Sequence, residues 1–313
     1  MKKMFTPIFL ILLLILAVNC QRNQQRNTDK PTIAFIMKTL NNPFFIDMQQ
    51  GAKKAADSLD VNLIIQAAER EVDVERQLQI VENMIQRKVS AICISPSGSR
   101  EIVPGIVKAN RAGIPVFVVD TRVDSETMQE AGGHITTFIG SDNEDGGRLA
   151  AEYIIDKLEG KGKVAVLEGI PGHETGDARL RGFTETVGNE PGIEIVTSQT
   201  ANWERSQGFI VFQNILQSDP DVEALFACND MMALGAVEAI KAAGKTGEII
   251  VVGFDAVEDS REAIQEGVMD ATIAQHPYMM GYIAVEKVVE KLKNKSIPDE
   301  IPVKIELINR EKL

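Results

Sequence analysis

Histidine and cysteine are scarce in this sequence, three of each among 313 residues. His134, His173 and His276 are scattered, and His173-Glu174 lacks the second histidine of an HExxH metal site. Cys20, Cys93 and Cys228 are too far apart for a zinc ribbon or a CxxC redox pair. No metal is expected. Cys93 and Cys228 sit in or at the end of apolar runs, where a thiol behaves as a small hydrophobe; the sequence alone leaves a bridge between them open. Positive charge is also in short supply, with 33 Lys and Arg against 45 Asp and Glu and a formal net charge of −12. A polyanion repels such a chain, which argues against nucleic acid and against a polybasic membrane contact. Phosphate-cradling glycine loops are missing. No GxGxxG follows the first predicted strand, and Gly244-Lys245-Thr246 copies only the end of a P-loop, with Ala239 where the motif needs glycine. Gly244 reads as a helix stop, and no cofactor is expected. Long apolar runs are equally rare: the only one, Ile8–Val18, is short for a membrane span.

That run follows Lys2 and Lys3 and ends in Leu16-Ala17-Val18-Asn19-Cys20. A charged start, a short apolar stretch and a cysteine form the layout of a secretory leader. The end resembles a bacterial lipoprotein cleavage site, which makes residues 1–20 the signal segment and Cys20 the lipidated N-terminus. Loss of Lys2 and Lys3 with the leader takes the formal charge from −12 to −14. Residues 21–30, QRNQQRNTDK, are polar and aperiodic and predict a flexible tether. The expected location is extracytoplasmic, with the membrane touched only through the lipid.

From Thr32 onward, short Ile/Val-rich runs alternate with segments of helical spacing. The runs 32–37, 61–65, 89–94 and 116–119 are apolar on both faces, as parallel strands covered by helices must be. Pro43–Leu59 is the first helix, with Asn42 as cap and Pro43 in the first turn. The rhythm restarts near His134–Asn143, with strands at 138–140, 164–167, 193–197, 224–227, 249–253 and 271–274, a helix at 277–293 and a closing strand at 303–307. The pattern predicts an α/β protein of two doubly wound parallel-sheet lobes. Ligands of such sheets sit at the carboxyl ends of the strands.

Those ends carry a specific set: Lys38, Asn42, Phe44 and Phe45 after the first strand, Asp120, Arg179, Trp203, Asn229, Asp255 and Gln275 after later ones. The set suits a neutral sugar. Its C–H faces pack on aromatic rings, while its hydroxyls donate to carboxylates, accept from arginine and do both with amides.

The motifs KTLNNPFF (38–45), SDN (141–143), ARLRG (178–182), ACNDMMALGA (227–236), VVGFD (251–255) and ATIAQHP (271–277) occur in order across nearly all of residues 32–308. Together they resemble the ribose- and allose-binding members of the periplasmic sugar-binding protein family. The resemblance implies two lobes joined by three crossover strands near Ser141, His276 and Lys304. It assigns residues 31–141 with 276–304 to the N-terminal lobe and residues 142–275 with 305–313 to the C-terminal lobe. It also implies a monomer whose lobes close on a monosaccharide and present it to an ABC transporter permease. In that reading Asn42, Phe44, Phe45 and Asp120 line the first lobe, and Arg179, Trp203, Asn229, Asp255 and Gln275 the second. Ribose binders carry arginine after the Asp120 position, whereas this chain has Thr121 and then Arg122; Lys38 and the stretch 124–133 also look more like allose binders.

Two rival classes share parts of this pattern. A glycosidase would use Asp120 and Asp255 as acid and base, but a site holding Arg179 and Lys38 should favour both carboxylates ionised, which suits binding and not general-acid work. The chain is therefore read as no enzyme. The lactose-repressor family carries the same two-lobe fold behind a DNA-binding helix-turn-helix; here a leader and tether occupy that place. The alternative that stays open is a sensory receptor presenting a sugar or furanosyl signal to a chemoreceptor or sensor kinase.

Overall fold

The computed structural model describes residues 30–313. The expected leader and the lipidation expected at Cys20 lie outside the described residues. Strands β1 (Thr32–Met37), β2 (Asn62–Ala67), β3 (Ala91–Ile94), β4 (Val116–Val119), β5 (Thr137–Gly140) and β11 (Glu300–Pro302) form one six-stranded sheet in the order β11-β5-β4-β3-β1-β2. Strands β6 (Gly162–Glu168), β7 (Ile193–Thr200), β8 (Ala224–Ala227), β9 (Ile250–Asp255), β10 (Ala271–Ala274) and β12 (Glu306–Asn309) form the second, in the order β12-β10-β9-β8-β6-β7. Leaving out the last-joined edge strand, the two orders are the same doubly wound pattern, each with a switch point beside its first strand. All neighbours run parallel except β12, which is antiparallel to β10.

The helices are α1 (Pro43–Leu59), α2 (Val74–Gln86), α3 (Val103–Arg111), α4 (Ser125–Glu130), α5 (Asn143–Lys157), α6 (Glu174–Val187), α7 (Arg205–Ser218), α8 (Asp230–Ala242), α9 (Glu258–Glu266) and α10 (Pro277–Leu292). The chain passes between sheets three times: after β5, after β10, and between β11 and β12. The closing strand expected at 303–307 is thus two short strands on different sheets. Residues 303–305 bridge them, and a single strand cannot pair with both.

Core strands β3, β4, β5, β8 and β10 are buried along their whole length, so each sheet has helices on both faces. The crossings bring α1 and α10, far apart in sequence, together in the first lobe, whereas the second lobe pairs helices that follow one another, α5 with α6 and α7 with α8. Glycine allows the close approach: a Cβ on Gly281 would lie 2.0 Å from the Met48 carbonyl oxygen, and one on Gly147 2.0 Å from that of Arg179. Cys93 and Cys228 are buried free thiols, one in each lobe, which answers the question of a bridge.

Candidate ligand-binding cleft

The carboxyl ends of both sheets face one cavity of about 280 Å³, lined by Lys38, Asn42, Phe44, Phe45, Glu71, Asp120, Thr175, Arg179, Trp203, Asn229, Asp255 and Gln275. All ten candidate residues lie on it. Two further lining residues, Glu71 and Thr175, were missed. Both lie a few residues past the ends of β2 and β6, Glu71 in a charged loop and Thr175 in the first turn of α6, beyond the positions the strand ends themselves mark.

The first lobe supplies a polar wall built from β1, β4 and the β2 loop. Asn42 caps α1, its Oδ1 accepting from the Phe44 amide at 3.0 Å, and its Nδ2 donates to Glu71 Oε1 at 3.1 Å. Lys38 Nζ stands 3.5 Å from Asp120 Oδ2 and 3.9 Å from Glu71 Oε2. Asp120 Oδ2 also accepts from Ser95 Oγ and Thr121 Oγ1, each at 3.0 Å. Phe44 and Phe45 meet edge to face with centroids 5.2 Å apart. Arg122, the residue after Thr121, turns away: it covers the Phe138 ring and pairs with Glu300.

The second lobe centres on Arg179 in α6. Its Nε donates to Asn143 Oδ1 at 2.9 Å, its Nη1 donates to the Cys228 carbonyl at 2.7 Å, and its guanidinium lies 3.7 Å from the Phe254 ring centre. Asp255 Oδ1 stands 3.7 Å from Arg179 Nη1 and accepts from Gln275 Nε2 at 2.6 Å. Asn229 caps α8 through the Met232 amide and donates to the Trp203 carbonyl. The Trp203 indole sits against backbone, since a Cβ on Gly169 would lie 1.9 Å from its ring. Trp203 Nε1 and Gln275 Oε1 are buried with no hydrogen-bond partner, a state proteins rarely tolerate away from a functional site.

Electrostatics corrects one expectation. Burial pushes the Asp255 carboxyl well above the usual range, and the Arg179 guanidinium pulls it back only in part. Arg179 spends its donors on Asn143 and Cys228, so the cation is shared and desolvation prevails. The sequence-based view that both aspartates are held ionised therefore does not extend to Asp255 in this closed geometry. Backbone strain gathers here too. Asp120, Trp203 and Asp255 have φ of 70°, 66° and 119°, conformations that cost a non-glycine residue about 1–3 kcal/mol each. At Asp255 the loop is held by fully buried Asp230, the first residue of α8. Its carboxylate accepts from Thr272 Oγ1 at 2.7 Å and from the Val257 amide at 3.0 Å. Burial drives the Asp230 pKa up to about 7 against those hydrogen bonds.

The lobes touch beside the cavity. Thr121 Oγ1 and Thr175 Oγ1 share a hydrogen bond of 2.8 Å, and the Glu174 amide donates to Ser99 Oγ at 3.2 Å. Two lobes that meet beside a cavity lined by polar and aromatic side chains at their strand ends form a ligand clamp. A model of the periplasmic binding protein domain matches residues 33–296. The chain belongs to the periplasmic binding protein family. Among its relatives, the D-allose-binding periplasmic protein of Escherichia coli K12 is 36% identical over 272 residues, covering 86% of this chain and 88% of that protein. The ribose import binding protein RbsB of Bacillus subtilis 168 is 38% identical over 282 residues, covering 90% and 88%. A solved periplasmic solute-binding protein of an ABC transporter from Actinobacillus succinogenes 130z, with bound D-allose, superposes with a TM-score of 0.87 at 40% identity over 90% of this chain and 99% of that one. This periplasmic binding protein thus matches its relatives over nearly their full length.

Proposed function

We propose that this periplasmic binding protein captures one monosaccharide of the allose or ribose class outside the cytoplasm and delivers it to an ABC transporter permease. The observation that carries the reading is the cavity itself. It alternates acceptors (Asp120, Asp255, Gln275 Oε1) with donors (Lys38, Arg179, Trp203 Nε1) between the Phe44 and Phe45 rings and Trp203. Such a mixture of donors and acceptors matches a ring that bears hydroxyls on most of its carbons. The protein works by binding and not by chemistry: Asp120 is committed to Ser95 and Thr121, and Asp255 to Gln275 and Arg179. The relatives named for allose and for ribose support the sugar class, and Lys38 and Thr121 favour the allose type. Hinge closure about the three crossings would hide the sugar and create the surface a permease reads. A lipid on Cys20 would keep the protein at the membrane.

Trp203 is the only tryptophan, so its emission reports the cleft. The test is titration with allose, ribose, galactose, glucose, xylose and inositol. A saturable change with allose or ribose, lost in Asp120→Ala with the fold intact, is the expected result. No binding of any of these by emission or calorimetry sinks the sugar reading.

A further inference from the structure

Backbone distortion marks the point where β9 runs into the cavity. Asp255 and Ala256 have consecutive positive φ values of 119° and 56°, and neither is glycine. Left-handed backbone in an L-residue persists only where its surroundings hold it, and it gathers at functional sites. Here the hold can be traced atom by atom. The Ala256 amide donates to Thr272 Oγ1 at 3.2 Å, and that hydroxyl donates in turn to Asp230 Oδ1 at 2.7 Å. The next amide, that of Val257, donates to Asp230 Oδ2 at 3.0 Å. Arg261 Nε secures the other side, donating to the Ala256 carbonyl at 3.0 Å.

The second sheet is shaped to admit this arrangement. Thr272 lies opposite Gly253 in the β9–β10 register. A Cβ on Gly253 would stand 2.2 Å from Asp230 Oδ1, so a side chain there would exclude the carboxylate. Asp230 and Thr272 are fully buried, yet neither lines the cavity. The carboxylate meets a hydroxyl and a backbone amide rather than a cation, which offsets its desolvation only in part. An apolar side chain would fill the same space without that cost. What the pair gains is control of Asp255. The φ of Asp255 sets the direction in which its Cα–Cβ bond leaves the strand. In the observed turn its carboxylate accepts from Gln275 Nε2 at 2.6 Å and borders the cavity.

We propose that Thr272 and Asp230 are positioning residues for ligand binding: they hold the left-handed turn at Asp255 and Ala256, and so aim the Asp255 carboxylate at the bound molecule. This rests on the sugar-binding reading above, which supplies its readout.

Calorimetric titration with D-allose and D-ribose tests it on wild type, Thr272→Val, Asp230→Asn, and Thr272→Val combined with Ala256→Gly. Valine keeps the shape and strand preference of threonine and removes the hydroxyl alone. Thr272→Val should weaken the bound sugar by about 5–30-fold, the population ratio that the left-handed penalty of a non-glycine residue implies. Glycine carries no such penalty. Adding Ala256→Gly should therefore return most of the loss and leave the double variant at least about threefold tighter than Thr272→Val. A purely structural role for Thr272 would lower the melting temperature and leave the affinity of the folded protein as it was, with or without Ala256→Gly. Asp230→Asn keeps an acceptor for Thr272 but sets an N–H against that of Val257. It also removes a charge that pushes the Asp255 carboxyl up, a change that favours an ionised acceptor, so a loss of affinity in this variant comes from the released turn. Affinity within about twofold of wild type in either folded single variant overturns the proposal. So does a double variant that binds no better than Thr272→Val. Wild-type protein that binds neither sugar sinks the sugar reading and this proposal with it, an outcome visible before any variant is compared.

Discussion

Arg179 holds the second-lobe half of the cavity together. One guanidinium joins the start of α5 through Asn143, the end of β8 through Cys228, the Phe254 ring and the Asp255 carboxylate. Arg179→Lys keeps a charge but loses the fork geometry that reaches these groups at once. Arg179→Lys is expected to weaken ligand binding by about 10–100-fold, the range of a lost hydrogen bond to a charged group. Its thermal stability should fall less than such a buried site first suggests, because Asp255, already raised by burial, can take up a proton when its cation withdraws. Tryptophan titration and melting curves measured together check both halves; wild-type affinity in Arg179→Lys would contradict the argument. At this scale much of the site was legible in the sequence. Asp120 and Asp255 each follow an apolar run, and Gln275 one broken only by Thr272, and a polar residue there must face a cleft or a solvent edge. Glu71 was not legible. β2 is an edge strand of mixed exposure, and its charged loop AEREVD reads like any solvated surface. Asp230 was hidden for another reason: as the first residue of a helix it looks like a cap, and only the fold shows its carboxylate holding the 255–257 loop.

Helices carry the next level of order, and two glycines on opposite sides of a pair decide how close they come. α1 and α10 touch at Gly51 and Gly281, where added Cβ atoms would lie 1.9 and 2.0 Å from backbone carbonyl oxygens. Backbone cannot step aside as a side chain can. Gly281→Ala should therefore cost about 1–3 kcal/mol, the usual range for overpacking. Gly105→Ala in α3 meets side chains alone, the tip of Leu78 at 3.0 Å and Val81 Cγ1 at 3.4 Å. It also gains helix propensity worth up to about 1 kcal/mol, so it should be near neutral. Urea denaturation followed by circular dichroism compares the two; equal losses would mean that the α1–α10 contact is looser than the coordinates show. The pairing of α1 with α10 is also where sequence reading stops. The alternation of strands and helices, and the Asn42 cap, follow from local pattern because each central strand is apolar on both faces. Which helix packs against which depends on the crossings, and the strands that mark the last crossing are weak signals. β11 is three residues, Glu300-Ile301-Pro302, with Glu300 and Pro302 exposed, and nothing in its pattern separates it from β12.

Closure of the whole molecule buries His173, and that makes ligand affinity a function of pH. His173 belongs to the second lobe, yet it is 4% exposed and lies against the Ser97 backbone of the first. It faces Lys38 and Asp120 at the cavity, Arg100 and Glu101 along a neighbouring inter-lobe space, and Glu174 and Asp177 on its own helix. Burial first, and then the Lys38 charge, drives its pKa down from the ordinary value of 6.5 to about 3. Opening of the proposed hinge would return the imidazole to water and to its ordinary value. Above pH 6.5 both states hold it neutral and it leaves affinity unchanged. As pH falls from 6.5 toward 3, the open form takes up a proton that the closed form refuses, so closure and ligand binding weaken by about tenfold per pH unit. Carboxyls raised by burial in the closed form, Glu71, Glu174 and Asp255, act with the opposite sign, since closure makes them bind protons more tightly. His173→Gln separates the contributions. Residue 173 makes no side-chain cap to α6, so the substitution spares the helix start. Dissociation constants for the bound sugar at pH 7.5 and 5.5 should rise about tenfold in wild type relative to the variant. The variant, left with the carboxyls alone, should hold its affinity or gain it as pH falls. Parallel pH profiles for the two proteins would mean that His173 stays equally buried in the open state, and that the two lobes part along a line that does not run past it.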